Sequence, residues 1–350
     1  MSADIDLLAE ARALRPLIEK EADPTDDELT MTPPVVDAFE KTGLFHMMVP
    51  RALGGAEADC STIMDVFEEL CHQDGSIGWS QMANASATSY CAFLEPEAAK
   101  EMVGDRPGSV FAGQFAPRGV IRREGDGFRI SGEYGFGSGS GHASYIGGGG
   151  FVLGDDGAPE ILPSGLPAYL CYFVPKDEVV MKDGWDVMGL RGTGSCSLVV
   201  KNVDVPAHRF ISFIDGRAGK TPGGHLHDGT LYKAPLAPSL AIALCGPAVG
   251  IAEGAINDFI GYVPGRTNPQ LRGAAQIDSP LTHQTVAEAK AQVDAARMLL
   301  HRAADDIHEA AEHGGEMPVE IRARIRMDSA YAVRLCMEAG EAMFLASGGS

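Results

Sequence analysis

The chain has 350 residues, of which 45% are hydrophobic, and its formal net charge is −20 at pH 7. This much apolar sequence can bury a large core, and the length allows two or three domains. The strong negative charge argues against nucleic acid or an anionic membrane surface as a partner.

The cysteines and the apolar segments predict a cytoplasmic protein. Seven cysteines are scattered along the chain without any CxxC spacing, a pattern typical of reduced thiols. The start of the chain lacks the basic and apolar regions of a signal peptide. The one long apolar run, 236–255, is interrupted by prolines, glycines and a glutamate. This run therefore predicts a buried helix and not a membrane span.

Residues 1–107 carry a helical pattern. Apolar residues recur at helical spacing from Leu7 to Ile18. The tripeptide Asp23-Pro24-Thr25 is predicted to end this helix, and Pro33-Pro34 to open the next. The segment 80–93 is built of small, nearly uncharged residues, which predicts a central position.

The pattern changes to short apolar runs separated by Gly-Asp turns, which predicts an antiparallel β domain over 108–214. The Gly147–Gly150 run is interpreted as a flexible strand entry. The predicted strands are 110–114, 127–131, 145–153, 168–174 and 197–205.

The helical period returns from about residue 234, within the last segment, 215–350. A second long helix is predicted from Pro318 to about Leu345. The residues that mark the first long amphipathic helix are Ala287, Ala291, Asp294, Ala295, Met298 and Arg302.

A Gly-rich turn at 184–195 leads directly into an apolar run that ends at Pro206. Glycines let the backbone approach a flat ligand closely. Thr193 and Ser195 offer hydroxyl groups, and Arg191 offers a forked positive charge. On spacing alone, this segment predicts a turn at the edge of a ligand, followed by a strand.

The amino-acid sequence of segment 184–206 resembles the middle-domain signature of the acyl-CoA dehydrogenase superfamily, whose members bind flavin. The order of helices, strands and helices also resembles that family. The resemblance implies an α+β fold, assembled as a homotetramer through its last bundle. Its parts would be a helical N-domain (1–107), a middle antiparallel β-barrel (108–214) that binds flavin, and a C-terminal helical bundle (215–350), apparently short of the family's last helices.

Two more segments, 111–119 and 132–142, lie where that family places its flavin-contacting strands. A Ser-Gly run by itself is more often a flexible turn, but three such segments in order favour a flavin site. By resemblance, Phe136 would pack beside the isoalloxazine ring and Ser138, the predicted catalytic residue, would reach flavin N5. The implied cofactor-binding residues are Gly113, Gln114, Phe136, Ser138, Gly139, Arg191, Thr193, Ser195 and Arg266, the last facing a neighbouring subunit's flavin.

The segments 71–79 and 138–143 resemble the flavin-dependent monooxygenase branch, which includes the oxygenase components of hydroxyphenylacetate hydroxylase and dibenzothiophene monooxygenase. Such proteins take reduced FMN or FAD from a separate reductase and transfer one oxygen atom from O2 to a small organic substrate, aromatic or polycyclic. The implied substrate-contacting residues are Trp79, Asn84 and Ala87. Phenol hydroxylases of this branch have a catalytic His on this helix, whereas this chain has none there, so no general base is assigned.

Two alternatives remain open. An FAD-dependent acyl-CoA dehydrogenase needs a carboxylate base, and Ser239 stands at one of the family's places for it. An inactive fold member with a binding or assembly role is the other alternative. The His225 and His227 pair is interpreted as part of a solvated loop, and no metal site is expected.

Overall fold

Helices, a mixed sheet and a second group of helices follow one another along the chain. The computed structural model describes residues 5–106, 108–182, 184–217, 219–234, 236–268, 273–313 and 317–348. The α-helices in these ranges are α1 (Leu7–Ala13), α2 (Arg15–Glu28), α3 (Pro33–Thr42), α4 (Cys60–Gln73), α5 (Gly75–Thr88), α6 (Pro96–Ala99), α7 (Phe213–Arg217), α8 (Thr230–Lys233), α9 (Leu236–Ala243), α10 (Gly246–Tyr262), α11 (Pro280–His313) and α12 (Val319–Ser347). The strands are β1 (Phe111–Glu124), β2 (Gly127–Tyr134), β3 (Tyr145–Val152), β4 (Tyr169–Pro175), β5 (Val179–Lys182), β6 (Ser197–Pro206), β7 (Phe210–Ser212), β8 (Thr267–Asn268) and β9 (Ala274–Ala275).

Aspartates cap α4 and α5 at their N-termini. The Asp59 carboxylate accepts a hydrogen bond from the Thr62 amide at the start of α4, at 2.8 Å. Asp74 does the same for the Ile77 amide at the start of α5, also at 2.8 Å. Each cap satisfies an amide that the first helical turn leaves without a partner. Segment 80–93 is largely buried, as its composition predicted.

The predicted helix end at Asp23-Pro24-Thr25 is wrong, because α2 continues through Pro24 to Glu28. The break lies earlier, at Leu14, where α1 ends and α2 begins. Proline removes one backbone donor and crowds the preceding turn of a helix, but burial of Ile18 and Thr25 on the inner face of α2 keeps the segment helical. The predicted start at Pro33 is confirmed.

The sheet is open, so the predicted closed barrel is wrong. Its strand order is β5-β6-β2-β1-β3-β4-β7, and the short strands β5 and β7 lie at opposite edges without pairing to each other. The pairing is antiparallel except between β1 and β3, which run parallel. The pairing of β1 and β3 shifts register between Gln114 and Gly119, and such bulges bend a strand. Strands β5 and β7 were not predicted from the sequence.

The run Gly147–Gly150 is not a flexible strand entry but the buried middle of β3. A Cβ atom on Gly147 would overlap the Phe115 ring, and one on Gly149 would overlap the Phe115 carbonyl oxygen. These glycines are therefore required because β1 and aromatic side chains lie directly against β3. The absence of side chains permits close packing here.

The apolar run 236–255 is divided between α9 and α10, with Leu244 and Cys245 between the helices. None of the helices in the described ranges is long and apolar enough to cross a membrane. Helix α10 packs on α4 so closely that a Cβ atom on Gly250 would overlap the Glu68 carbonyl oxygen. The Arg297 guanidinium of α11 forms ion pairs with both of these helices, at 2.6 Å from Glu68 of α4 and 3.1 Å from Glu253 of α10.

Both predicted long helices are present. The stripe of residues that marked α11 in the sequence lies on its exposed side, and Met298 on it is 74% exposed. The buried face is offset around the helix and carries the larger aliphatic side chains, including Val293, Leu300 and Ile307. Burial of these branched residues removes more apolar surface from water than burial of the alanines on the stripe. The domain boundaries after 107 and 214 stay predictions, and residue 107 itself lies outside the described residues.

All seven cysteines are free thiols, and five of them are buried. Burial raises the pKa of Cys60 to about 11 and that of Cys171 to about 12. Burial also raises the pKa of Cys71 well above its ordinary value. These side chains therefore stay protonated at neutral pH.

Replacing Gly250 by Ala is expected to lower the free energy of unfolding by about 1–3 kcal/mol, because the added methyl group forces α10 away from α4. Gly261 lies on the same helix, and a Cβ atom added there would have no other atom within 4 Å. The matched variant Gly261→Ala is expected to raise stability by up to about 1 kcal/mol through helix propensity. Urea denaturation of both variants tests this, and equal effects would show that the α4–α10 contact is not tight.

Candidate functional site

Three buried hydroxyl groups form a row between the sheet and α5. The indole Nε1–H of Trp79 donates to the Ser138 hydroxyl at 3.1 Å. The Ser138 and Ser195 hydroxyl oxygens are 2.6 Å apart, as are those of Ser195 and Thr193. The row ends where the Thr193 hydroxyl donates to the Leu190 carbonyl at 2.8 Å. We call Ser138, Ser195 and Thr193 the hydroxyl chain.

Two turns of the sheet carry the hydroxyl chain. Ser138 lies in the turn that leaves β2, while Thr193 and Ser195 lie in the turn that enters β6. Backbone hydrogen bonds join these turns, from Gly137 N–H to the Cys196 carbonyl at 2.9 Å and from Gly139 N–H to the Thr193 carbonyl at 3.1 Å. The structure thus brings together four of the predicted site residues: Trp79, Ser138, Thr193 and Ser195.

A carboxylate from α2, which sequence reasoning missed, holds the second turn. Asp26 Oδ1 accepts from the Gly192 amide at 2.8 Å and from the Ser76 hydroxyl at 3.1 Å. A Cβ atom on Gly192 would overlap the Thr25 side chain. The turn is therefore pressed against α2 and tied to α5. No local signal could reveal this contact, because 166 residues separate Asp26 from Gly192.

An aromatic pair, the exposed Phe136 and the half-buried Trp185, lies beside the hydroxyl chain. Phe136 is 67% exposed and meets the Trp185 ring edge-on, with centroids 6.2 Å apart. Its backbone is left-handed, with φ at 62°, a conformation that costs energy for a bulky residue and is concentrated at functional sites. Trp185 is held by its Nε1–H, which donates to the Leu190 carbonyl at 3.0 Å. An uncovered apolar surface thus lies next to a polar row.

Asn84, a predicted substrate-contacting residue, is hydrogen-bonded within the protein, and its contact with a substrate stays a prediction. Its side-chain amide donates to the Phe111 carbonyl at 2.9 Å and to the Gly139 carbonyl at 3.2 Å. Its oxygen accepts from His142 Nε2 at 2.8 Å. Asn84 is fully buried, and Ala87 lies in the main apolar core. Of the three predicted substrate residues, Trp79 alone is half-exposed.

His142 is half-buried and hydrogen-bonded to Asn84. Because both Asn84 amide hydrogens go to carbonyl groups, Asn84 Oδ1 must accept, and His142 carries its hydrogen on Nε2. Its Nδ1 is buried and has no hydrogen-bond partner in the described part of the chain. Burial, together with the nearby Lys176 ammonium, lowers the pKa of His142 to about 4. The imidazole also stacks on Phe45, with centroids 5.6 Å apart.

The predicted ring-edge residues on β1 both have structural roles. Gly113 has φ at 145°, and a Cβ atom there would overlap the Gly147 carbonyl of β3. The Gln114 side-chain oxygen accepts from the Ala116 amide at 2.9 Å and so stabilises the bulge of β1. Gly139 has φ at 68°, and a Cβ atom there would overlap Asn84 Oδ1. Contact of these residues with a ligand stays a prediction.

The side chains of the two predicted arginines contact residues outside the hydroxyl chain. Arg191 Nη1 is 3.4 Å from Asp186 Oδ1 and 3.4 Å from the Val187 carbonyl oxygen. The Arg266 guanidinium lies over the Tyr262 ring, 4.9 Å from its centroid. Their predicted contacts with a cofactor are not tested by these interactions. Within the described ranges, no group of three or more His, Cys, Asp or Glu residues is placed to hold a metal ion.

Two family models match the ends of the chain: "Acyl-CoA dehydrogenase, N-terminal domain" over residues 8–101 and "Acyl-CoA dehydrogenase, C-terminal domain" over residues 242–350. The chain is 31% identical to the flavin-dependent monooxygenase oxygenase subunit HsaA of Mycobacterium tuberculosis, covering 98% of this chain and 85% of that protein. It is 28% identical to the oxygenase component of an FADH2-dependent resorcinol hydroxylase of a Rhizobium species, covering 98% and 84%. It also matches the structure of XiaF from a Streptomyces species in complex with FADH2 and glycerol, with a TM-score of 0.88, 25% identity, and coverage of 98% and 85%.

Replacing Asp26 by Ala is expected to lower the free energy of unfolding by about 1–3 kcal/mol, because the Gly192 amide and the Ser76 hydroxyl lose a charged acceptor. It is also expected to speed proteolysis within 184–195. Asp26→Asn keeps an acceptor oxygen and serves as the matched control, with a smaller effect on both. Unchanged cleavage in Asp26→Ala would contradict the role of Asp26 in holding the turn.

The free energy of unfolding is expected to fall as the pH drops from about 6.5 towards 4. In this range His142 binds a proton in the unfolded chain but stays unprotonated in the folded protein. His142→Gln keeps a donor for Asn84 and should remove about 1 kcal/mol per pH unit from the slope across this window. Urea denaturation at pH 7.5, 6 and 5 measures the slope. The exposed His225, replaced by Gln, is the control. Equal slopes in both variants would contradict a neutral His142.

Proposed function

We propose, since this chain belongs to the acyl-CoA dehydrogenase superfamily and to its flavin-dependent monooxygenases, that it is the oxygenase component of a two-component system. It would take reduced flavin from a separate reductase and use O2 to oxygenate a small aromatic compound. The aromatic class rests on relatives such as the resorcinol hydroxylase. FAD and FMN both remain candidates, and XiaF was solved with FADH2.

The observation that carries this proposal is the hydroxyl chain beside the exposed Phe136. A flat ring system laid on Phe136 would cover apolar surface that is now open to water. Its polar edge would then meet Ser138, whose side chain is 7% exposed and already fixed by Trp79 and Ser195. An apolar face with polar ring edges is the chemistry of an isoalloxazine, so the residues present fit a flavin.

Each residue in this proposal has a defined role. Ser138 hydrogen-bonds the edge of the flavin ring and is the catalytic residue, while Phe136 packs against the ring face. Thr193 and Ser195 hold Ser138 in place. Gly113, Gln114 and Gly139 would border the ring, and Arg191 would offer its charge to the cofactor's polar groups. When bound, reduced flavin supplies the two electrons that activate O2.

The substrate would lie on the α5 side of the ring, next to the half-exposed Trp79. Trp79 would exclude water there, since its indole nitrogen is engaged by Ser138. We assign no general base. His142 contacts Asn84 through Nε2, and its low pKa makes its neutral form a weak proton acceptor at neutral pH. A substrate that needs no deprotonation by imidazole fits this arrangement.

A homotetramer in the cytoplasm is the assembly and location that we propose. Supporting the oligomer, α11 and α12 carry large apolar side chains that the single chain leaves exposed, including Met298, Met337 and Phe344. Arg266 would then contact the flavin of a neighbouring subunit. Supporting the location, all seven thiols are free, as they are in a reducing compartment.

Anaerobic titration of the purified protein with oxidised and reduced FMN and FAD tests the proposed function. We expect reduced flavin to bind roughly tenfold or more tightly than oxidised flavin. On admission of oxygen, oxidised flavin should be released and an aromatic substrate hydroxylated. Copurified FAD that is reduced by an acyl-CoA and then resists oxygen would identify a dehydrogenase instead. A failure to bind any flavin would favour the inactive fold member.

Phe136→Ala extends the same titration to the proposed ring-binding surface. Loss of the aromatic contact is expected to weaken binding of reduced flavin about 5-fold. Leu226 is similarly exposed but belongs to a separate loop, so Leu226→Ala is the matched control. Equal affinities for the two variants would remove Phe136 from the site.

A further inference from the structure

We infer that Thr193 and Ser195 are positioning residues that turn Ser138 into a hydrogen-bond acceptor, and that this orientation makes the site prefer reduced over oxidised flavin. The inference rests on the proposed function, because it concerns the redox state of the flavin. It goes further by assigning a specificity-determining role to two residues that do not themselves meet the ring in this scheme.

The two ends of the hydroxyl chain fix its direction. At one end, the Trp79 indole can only donate, so it occupies a lone pair of Ser138 and not its hydrogen. At the other end, the Leu190 carbonyl can only accept, so it binds the Thr193 hydroxyl hydrogen. A row of hydroxyl groups between an obligatory donor and an obligatory acceptor has one direction in which every hydrogen is used.

In that direction, each hydroxyl group donates to the next. Thr193 has given its hydrogen to Leu190, so it accepts from Ser195. Ser195 has then given its hydrogen to Thr193, so it accepts from Ser138. In the reverse direction, the Thr193 hydrogen would leave the Leu190 carbonyl and the Ser138 hydrogen would have no acceptor within the chain. Buried hydrogens without acceptors are costly, so the forward direction is favoured.

Ser138 is therefore left with one lone pair and no free hydrogen. Its hydrogen goes to Ser195, and one of its two lone pairs is taken by Trp79. A ligand that faces Ser138 must then donate a hydrogen bond. By the family resemblance, the flavin atom that faces Ser138 is the isoalloxazine nitrogen N5. This nitrogen has a bare lone pair in oxidised flavin and carries a hydrogen in reduced flavin. Ser138 in this orientation attracts the reduced form and repels the oxidised form.

The hydroxyl chain is well suited to keep this direction when a ligand binds. Its three members are between 2% and 7% exposed, so water does not compete for their hydrogens. The Leu190 carbonyl is held in place because it also accepts from Trp185 Nε1. The Asp26 carboxylate fixes the turn that carries Thr193. The direction of the chain is thus set by groups that lie outside the ring-binding surface.

The test is the ratio of the dissociation constants for oxidised and reduced flavin, measured anaerobically for the wild type and for Thr193→Val, Thr193→Ser and Ser195→Ala. Val has the shape of Thr but cannot accept from Ser195, while Ser keeps the hydroxyl group. Ser195→Ala removes the acceptor for Ser138 directly. In both disrupted variants the Ser138 hydrogen is freed to donate to a ligand, so the preference should fall. Circular dichroism and thermal melting establish that each variant is folded.

We expect Thr193→Val and Ser195→Ala to lower the ratio about tenfold, which equals a shift of about 30 mV in the two-electron midpoint potential of bound flavin. Thr193→Ser should keep the wild-type ratio. If Thr193 and Ser195 had a purely structural role, their substitution would weaken the binding of both redox forms of flavin equally. The ratio would then be unchanged, and that result would overturn the inference. If the wild type binds neither form, the proposed function itself fails, which is a different and recognisable outcome.

Discussion

A single carboxylate oxygen of Asp26 is the contact on which the rest of the site depends. It binds the Gly192 amide and the Ser76 hydroxyl together, and so it joins α2, α5 and the turn before β6. The turn can approach this closely because Gly192 has no side chain to meet Thr25. Trp79 on α5 and Thr193 in the turn are thereby placed at the two ends of one hydrogen-bonded row. The sheet alone could not set that distance, because Trp79 does not belong to it.

Much of the fold could be predicted from the sequence, because its elements follow local patterns. The start of α3 at Pro33 and the strands β3 and β6 lie close to the predicted positions. The errors arose where distant contacts override a local signal. Pro24, for example, remains helical because the neighbouring face of α2 is buried. Closure of a sheet depends on strand curvature and pairing, which short apolar runs do not reveal.

The candidate site was predictable only as a set of residues and not as an arrangement. The segments 71–79 and 138–143 led to a flavin-dependent monooxygenase, and the relatives confirm that family and activity. Their bonding could not be foreseen, since it joins α5, the end of β2 and the turn before β6. The sequence showed that α5 lacks the catalytic His of the phenol hydroxylases, but it did not show what the polar residues of this helix bind. On this helix Asn84 instead binds a histidine from another segment, His142.

The buried thiols have a consequence for a protein that handles oxygen. Reduced flavin that reacts with O2 without a substrate releases hydrogen peroxide, and peroxide oxidises the thiolate form of cysteine. Burial raises the pKa of Cys71, Cys91 and Cys171, so these side chains remain thiols that react slowly. Their enclosure in the core also denies access to the oxidant. The packing that stabilises the fold would therefore also protect these buried thiols from peroxide.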